Sequence, residues 1–184
     1  ISLAALTILC LPDAAAGEAA VWAQNAGTRV LDASPCHRVA DDWTYGLPEL
    51  CEEQRARIGS ADRVSNPGCY SSTFILLLRP LIDAGLIPTD VPISIHALSG
   101  YSGGGKSLIE RWENHDNELA DLQYEAPYAL GWVHKHIPEM QRYTGLTVQP
   151  QFLAQAFHFG DCGAFTQHLR HGIPRDEVHE HENQ

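Results

Sequence analysis

Ala4-Ala-Leu-Thr-Ile-Leu-Cys-Leu11, Pro12-Asp13, Ala14-Ala-Ala-Gly-Glu-Ala-Ala-Val-Trp-Ala-Gln24, Asn25-Ala-Gly27 and Thr28-Arg-Val-Leu-Asp32 follow one another without interruption. The first segment is an apolar run of strand length that Pro12 and Asp13 end, so it reads as a buried parallel strand. Ala14 to Gln24 then predicts a helix, Asn25 to Gly27 the turn, and Thr28 to Asp32 a second short buried strand. Strand, helix and strand in that order are half of an α/β repeat. The chain opens in mid-fold at Ile1, and a truncated start is expected. Ile1 to Cys10 with Ala14 to Ala16 also has the outline of a secretory leader, but it lacks a start Met and a basic leading region, and its apolar core is too short to span a bilayer.

Outward from this unit, Asp32 to Tyr45 is irregular and polar, whereas Leu47 to Ile58 has a helical pattern beginning near Pro48. Val64 leads through Ser65, Asn66, Pro67 and Gly68 into an apolar helix from about Cys69 to Leu78, which Pro80 should kink or break and Gly85 should close. The alternation Ile93, Ile95, Ala97 predicts a strand over Val91 to Leu98, followed by a glycine-rich loop, Gly100 to Gly105, and a helix from Lys106 towards Asn117. Tyr128 to His136 reads as another strand. Pro138 suits the first turn of a short helix on Glu139 to Tyr143 closed by Gly145, and Leu146 to Val148 with Phe152 starts a further strand. Beyond it the pattern is weak, with a polar end over His179 to Gln184 and no internal repeat.

The 184 residues suffice for a sizeable core, in one large domain or two small ones. Twelve Lys and Arg against twenty-three Asp and Glu leave a formal charge of −11, which repels nucleic acid and anionic membrane. An anionic substrate therefore needs a locally basic pocket. Cysteines at 10, 36, 51, 69 and 162 form no C-x-x-C pair and no disulfide framework, which points to a reducing cytoplasm.

Three segments carry chemistry. Ser65-Asn66-Pro67-Gly68-Cys69-Tyr70 places a cysteine directly after a tight turn and at the start of an apolar helix, where free N–H groups and the positive dipole end favour a thiolate nucleophile. From position alone, a buried structural cysteine fits as well. Gly100-Tyr-Ser-Gly-Gly-Gly105-Lys106-Ser107 satisfies the P-loop pattern between a predicted strand and helix, so a nucleotide triphosphatase is a rival from another class. Against it, no later apolar strand ending in a magnesium-binding Asp follows. His134-Lys135-His136 with Glu139 could supply an acid or base near neutrality, or could be core or surface histidines. No third metal ligand stands at a readable spacing, so no metal is expected.

The first of these segments resembles the active-site sequence of the N-acetyl-gamma-glutamyl-phosphate reductase family, which carries its nucleophile in Asn-Pro-Gly-Cys-Tyr and usually continues Pro-Thr-Gly where this chain has Ser71, Ser72 and Thr73. Ser99-Gly-Tyr-Ser-Gly-Gly-Gly-Lys106 is similar to the family's Ser-Gly-x-Ser-Gly-x-Gly loop. Tyr128, six residues before the first His of His134-x-His136-x-x-Glu139, stands at the family's offsets. The likeness runs from about residue 4 to about residue 152. It implies an α/β fold: part of a Rossmann-like NADP-binding domain over 1–64, then an α+β catalytic domain like that of glyceraldehyde-phosphate dehydrogenases over 65–184.

By resemblance Cys69 is the nucleophile and His134 its acid/base partner. Arg38, in the looser match Asp32-Ala33-Ser34 with His37-Arg38, would join Ser99, Tyr128, His136 and Glu139 at the substrate, while Leu11, Pro12, Ser102, Gly103 and Gly104 would meet NADP(H). The implied reaction is reduction of an acyl phosphate through a cysteine thioester by a cytoplasmic homo-oligomer of arginine biosynthesis. The family's Gly-x-x-Gly-x-x-Gly turn is absent from these residues. Where the family has Gly-x-Phe-x-Gln-Gly-Met, Ala154 to Thr166 reads AQAFHFGDCGAFT before family-like His168-Leu169 returns. Aspartate-semialdehyde dehydrogenase, which shares fold and thioester chemistry, and an inactive fragment are the other readings, and His-Lys-His-x-x-Glu speaks against the former.

Overall fold

The computed structural model describes residues 4–114, 126–128, 130–131 and 133–157. They divide into two compact units, one of residues 1–95 with 131–152 and one of 96–130 with 153–184.

The first unit realises the α/β half-repeat. Strand β1 (Leu6–Leu9), helix α1 (Asp13–Asn25) and strand β2 (Arg29–Asp32) follow in the expected order, and β1 pairs parallel with β2 from Leu6↔Arg29 to Leu9↔Asp32. Alanines make this packing close. Ala19, Ala20 and Ala23 of α1 bury against Leu9, Val30 and Trp43, side chains small enough to let the helix lie near the sheet. Two further strands were not evident in the pattern: β3 (Thr44–Tyr45) and β4 (Arg63–Ser65) complete a four-stranded sheet of order β1-β2-β4-β3. Both are too short to show a period of two, and β3 lies in the segment read as irregular.

The helix expected over 47–58 is confined to α2 (Gln54–Ser60). The residues before it form turns, with Leu50 N–H bonded to Leu47 O and Gln54 N–H to Cys51 O, because the buried Gln54 side chain turns back to donate to Tyr45 O at 2.5 Å. Helix α3 (Cys69–Asp83) instead passes through Pro80 unbroken. Pro80 and Leu76, whose carbonyl loses its donor there, both sit on the exposed face, where water can replace the missing bond. Gly85 closes the helix at φ +69°, as its position predicts.

Helix α5 (Ile137–Thr144) packs on α3, with Pro138 in its first turn and Gly145 at φ +81° after its last. A second core cluster of Tyr45, Leu47 and Ile75, flanked by Leu50 and Tyr143, ties the sheet to both helices. The strand expected over 128–136 stops early: His134 to His136 form a turn leading into α5, and His136 already has right-handed helical torsions.

The second sheet has the order β5-β7-β6, from strands β5 (Ser94–Gly100), β6 (Ala126–Tyr128) and β7 (Gln151–Phe157). Within the second unit β6 runs antiparallel to β7, Tyr128 facing Ala154, and β5 passes through a 3₁₀ turn (Tyr101–Gly104) into helix α4 (Lys106–Glu113). Strand β7 begins later than the expected 146, and Leu146 buries instead at the end of α5. The divergent stretch beyond 157, the His168-Leu169 match and the polar end at 179–184 lie outside the described residues.

Candidate active site around Cys69

Cys69 is the first residue of α3 and is exposed. Gly68 caps the helix with extended torsions, and the chain reaches it from β4 through Asn66 and Pro67. The turn is bracketed by the histidine segment. A Cβ on Gly68 would stand only 2.7 Å from His136 Cε1 and closer still to Nε2, so only glycine lets the backbone lie on that ring. On the other side, the Tyr70 ring meets His134 edge-on at 5.9 Å and His136 at 5.8 Å. Phe152 closes the cluster, 5.2 Å from Tyr70 and 4.9 Å from His134.

A buried carboxylate holds this turn in place. Glu139, 1 % exposed, receives Gly68 N–H at 3.0 Å, Ser71 Oγ–H at 2.9 Å and Tyr45 O–H at 2.7 Å on Oε2, and Arg38 Nη1–H at 3.0 Å on Oε1. Four donors surround the group, which fits an ionised carboxylate. Burial, and then the Glu139 charge, push the Tyr45 phenol above its usual range, so it stays a donor. Ser71 stands where the related segment has Pro, and its hydroxyl makes a bond that Pro cannot.

Arg38 therefore does not offer its fork outward. Its side chain is 8 % exposed, with Nε on Asn66 O at 2.9 Å, Nη2 on Ala33 O at 3.2 Å and Nη1 on Glu139. Arg38 and Glu139, both expected at the substrate, are here enclosed and hold the Asn-Pro-Gly-Cys turn from behind.

The two histidines differ. His134 is half-buried, and its Nδ1 accepts the His136 backbone N–H at 3.2 Å, which leaves the proton of the neutral ring on Nε2. Burial lowers its pKa, the Lys135 charge adds to this and Glu139 opposes it. His136 is 4 % exposed, and burial, followed by the His134 and Arg38 charges, lowers its pKa to about 3. Its Nδ1 has no hydrogen-bond partner among the described residues. The ring packs under Gly68, where it was expected at the substrate.

A stability consequence follows. The unfolded chain protonates His136 near 6.5 and the folded one only near 3, so unfolding takes up a proton between these values. Above about 6.5 the group costs nothing. Urea melts should show stability falling as pH drops from 6.5 towards 3, and His136→Gln should flatten part of that slope; an unchanged slope would contradict a neutral buried ring.

The remaining predicted positions divide between the units. Leu11, 42 % exposed, and Pro12, the N-cap of α1, lie just past the carboxyl end of β1 in the first unit. In the second unit Ser99 donates to Gly100 O at 2.8 Å, and Ser102, Gly103 and Gly104 form the 3₁₀ turn. A Cβ on Gly103 would come within 2.7 Å of Ser99 Oγ, and Gly105 takes φ +78° to start α4. Lys106, the P-loop lysine of the rival reading, is 90 % exposed and lies 3.6 Å from Glu110. Tyr128 is placed by its backbone in β6.

Sequence reasoning missed Tyr45 and Ser71 as Glu139 partners. The match Asp32-Ala33-Ser34 with His37-Arg38 marked the end of β2 without showing its bonding, in which buried Asp32 accepts Ser34 N–H, Ser34 Oγ–H and the His37 ring at 2.6 Å. The signal available was the spacing Asp-x-Ser-x-x-His, a side chain folded over its own turn.

Comparison with known proteins sets this geometry in context. Residues 69–180 match the model "Semialdehyde dehydrogenase, dimerisation domain", and residues 1–58 match "Semialdehyde dehydrogenase, NAD binding domain". N-acetyl-gamma-glutamyl-phosphate reductase 2 of Pseudomonas putida is 47% identical over 175 residues, covering 95% of this chain and 53% of its own. A Burkholderia lata protein named N-acetyl-gamma-glutamyl-phosphate reductase is 49% identical over 154 residues, covering 83% and 48%. The chain spans about half the length of the curated relatives it matches. Among solved structures, aspartate semialdehyde dehydrogenase II from Vibrio cholerae aligns with a TM-score of 0.60 at 18% identity, covering 85% of this chain and 52% of that one. The Francisella tularensis aspartate semialdehyde dehydrogenase gives 0.58 at 14%, covering 85% and 56%.

Proposed function

Since the chain belongs to the semialdehyde dehydrogenase family, we propose that it carries the catalytic part of an N-acetyl-gamma-glutamyl-phosphate reductase, with Cys69 as nucleophile and His134 as proton donor. The observation that carries this reading is an exposed cysteine at a helix N-terminus, on a turn held by Glu139 and flanked by the histidine segment. Identity of 47–49% to proteins of that name supports it, whereas the aspartate semialdehyde dehydrogenases, at 14–18%, share the fold alone. Matches to 1–58 and 69–180 support a division near residue 64 between cofactor and catalytic domains.

In this reading Cys69 Sγ attacks the acyl carbon of N-acetyl-gamma-glutamyl phosphate, the carbon–oxygen bond to phosphate breaks, and a thioester forms. In the same reading the backbone N–H groups of the first turn of α3 and His134 serve as donors to the oxyanion. His134, having taken up the proton that Cys69 released on attack, gives it to that oxygen after reduction, and collapse of the thiohemiacetal releases the aldehyde and restores the thiol. By the family resemblance, Leu11 and Pro12 past β1 in the first unit and Ser102, Gly103 and Gly104 in the second are each assigned to NADPH, which when bound would supply the hydride. Ser99 and Tyr128, in the second unit, are assigned to substrate by the family resemblance alone. A dimer or larger homo-oligomer is supported by the dimerisation-domain match. No helix among the described residues is long and apolar enough to cross a membrane, and a cytoplasmic location accords with that.

Hydride transfer needs cofactor binding energy from the pyrophosphate and ribose as well as a reactive thioester. No Gly-x-x-Gly-x-x-Gly turn occurs among the 184 residues. The chain by itself should therefore oxidise NADPH negligibly with the acyl phosphate, and a chain extended by a family N-terminal segment bearing that turn should do so readily. Robust oxidation by the unextended chain would refute the cofactor argument, and none by the extended one would refute the reductase assignment.

A further inference from the structure

The loop that leaves β2 grips Asn66, at the start of the Cys69 turn, from both of its ends. Asp32 O accepts Asn66 N–H at 2.7 Å, and Arg38 Nε–H donates to Asn66 O at 2.9 Å, so both main-chain polar groups of Asn66 are bonded to this one loop. From Arg38 the connection continues to Glu139, which accepts Gly68 N–H directly before the thiol. Asp32 and Arg38 can hold Asn66 together only if the loop between them keeps one shape.

His37 closes that loop. Its Nδ1–H donates to Asp32 Oδ2 at 2.6 Å, which ties one end of the segment to the other. The ring has little freedom of its own: it stacks on the buried Trp43 at 4.0 Å and 13°, and its Nε2 is hydrogen-bonded to Cys36 Sγ at 3.7 Å. Asp32 is fully buried and is also held by Ser34 N–H at 2.9 Å and Ser34 Oγ–H at 2.7 Å. By contrast the main-chain bond from Arg38 N–H to Pro35 O is long, at 3.4 Å. The short bond from imidazole to carboxylate is therefore the stronger tie on the arginine's end of the loop.

We infer that His37 is a positioning residue for acylation at Cys69. Through Asp32 and Arg38 it sets the place of Asn66, and so of Gly68 N–H and the first turn of the helix that carries the thiol. It acts through these residues and not on the reacting atoms. The inference rests on Cys69 being the nucleophile, and its consequence can be large, since a shift of about 1 Å in a reacting group can cost about a hundredfold in rate.

The test compares the unmodified chain with His37→Ala and with His37→Asn, whose Nδ2–H can stand where the ring Nδ1–H stands. In His37→Ala, amide hydrogen exchange at Asn66 and Gly68 should quicken at least about tenfold relative to Val30, whose N–H is bonded to Asp62 O at 2.7 Å. Brief exposure to N-acetyl-gamma-glutamyl phosphate should acylate Cys69 about ten- to a hundredfold more slowly in His37→Ala, and His37→Asn should recover most of both losses. A general loosening would quicken Val30 equally and would not be repaired by the asparagine. Equal quickening at all three amides, an unchanged acylation rate in His37→Ala, or no recovery in His37→Asn would overturn the proposal. Absence of acylation in every chain, with the exchange pattern as expected, would refute the nucleophile instead and support the clamp on Asn66.

Discussion

Glu139→Ala is expected to destabilise the protein by about 3–5 kcal/mol, the range for removing one partner of a buried ion pair. Arg38 would keep its bonds to Asn66 O and Ala33 O but lose the carboxylate on its guanidinium, with its side chain only 8 % exposed. Tyr45 O–H and Gly68 N–H would lose their acceptor as well, whereas Ser71 could still donate to Gly68 O at 2.9 Å. An internal control has the same charges in another setting. Arg142 and Asp41 pair at 2.5 Å with side chains 43% and 92% exposed, so Arg142→Ala should cost no more than about 1 kcal/mol. Equilibrium urea unfolding of the two variants beside the unmodified chain decides the matter, and equal losses would mean that Glu139 does not pin the turn.

Cys69→Ser should abolish acylation and lower turnover by roughly three orders of magnitude or more in a chain extended to bind cofactor, because the serine hydroxyl lacks the thiolate's nucleophilicity and is far harder for an imidazole to ionise than a thiol. Cys36→Ser and Cys51→Ser should leave turnover within about twofold, since neither touches the proposed path. The contrast is physical. Cys51 is half-buried with its thiol 4.0 Å from Gln54 Oε1, and the surroundings of Cys36 hold its thiol protonated, whereas Cys69 stands exposed at the first position of a fifteen-residue helix. Loss of turnover in Cys36→Ser comparable to that in Cys69→Ser would assign the nucleophile wrongly.

The α/β half-repeat was legible because its signals are local: an apolar run, a proline, a stretch of alanines and a turn stand in sequence order. The place of Cys69 at a helix start was legible for the same reason. What escaped was set by tertiary contacts. Two- and three-residue strands have no periodicity to read, and β3 exists because Thr44 and Tyr45 find a parallel partner in Val64 and Ser65. Pro80 did not break α3, since the cost of a missing donor depends on which side of the helix faces water. The direction of Arg38 was likewise invisible, because its partner Glu139 lies 101 residues away and only folding brings a buried acceptor to it.

The central claim is that Cys69 is the residue acylated by N-acetyl-gamma-glutamyl phosphate. The most direct measurement is mass spectrometry of the 184-residue chain after brief exposure to that acyl phosphate, followed by peptide mapping with and without hydroxylamine. The expected result is an N-acetylglutamyl adduct on the peptide containing Cys69, removed by hydroxylamine as a thioester should be and absent from Cys69→Ser. An adduct that persists in Cys69→Ser, or one confined to another cysteine, would contradict the account.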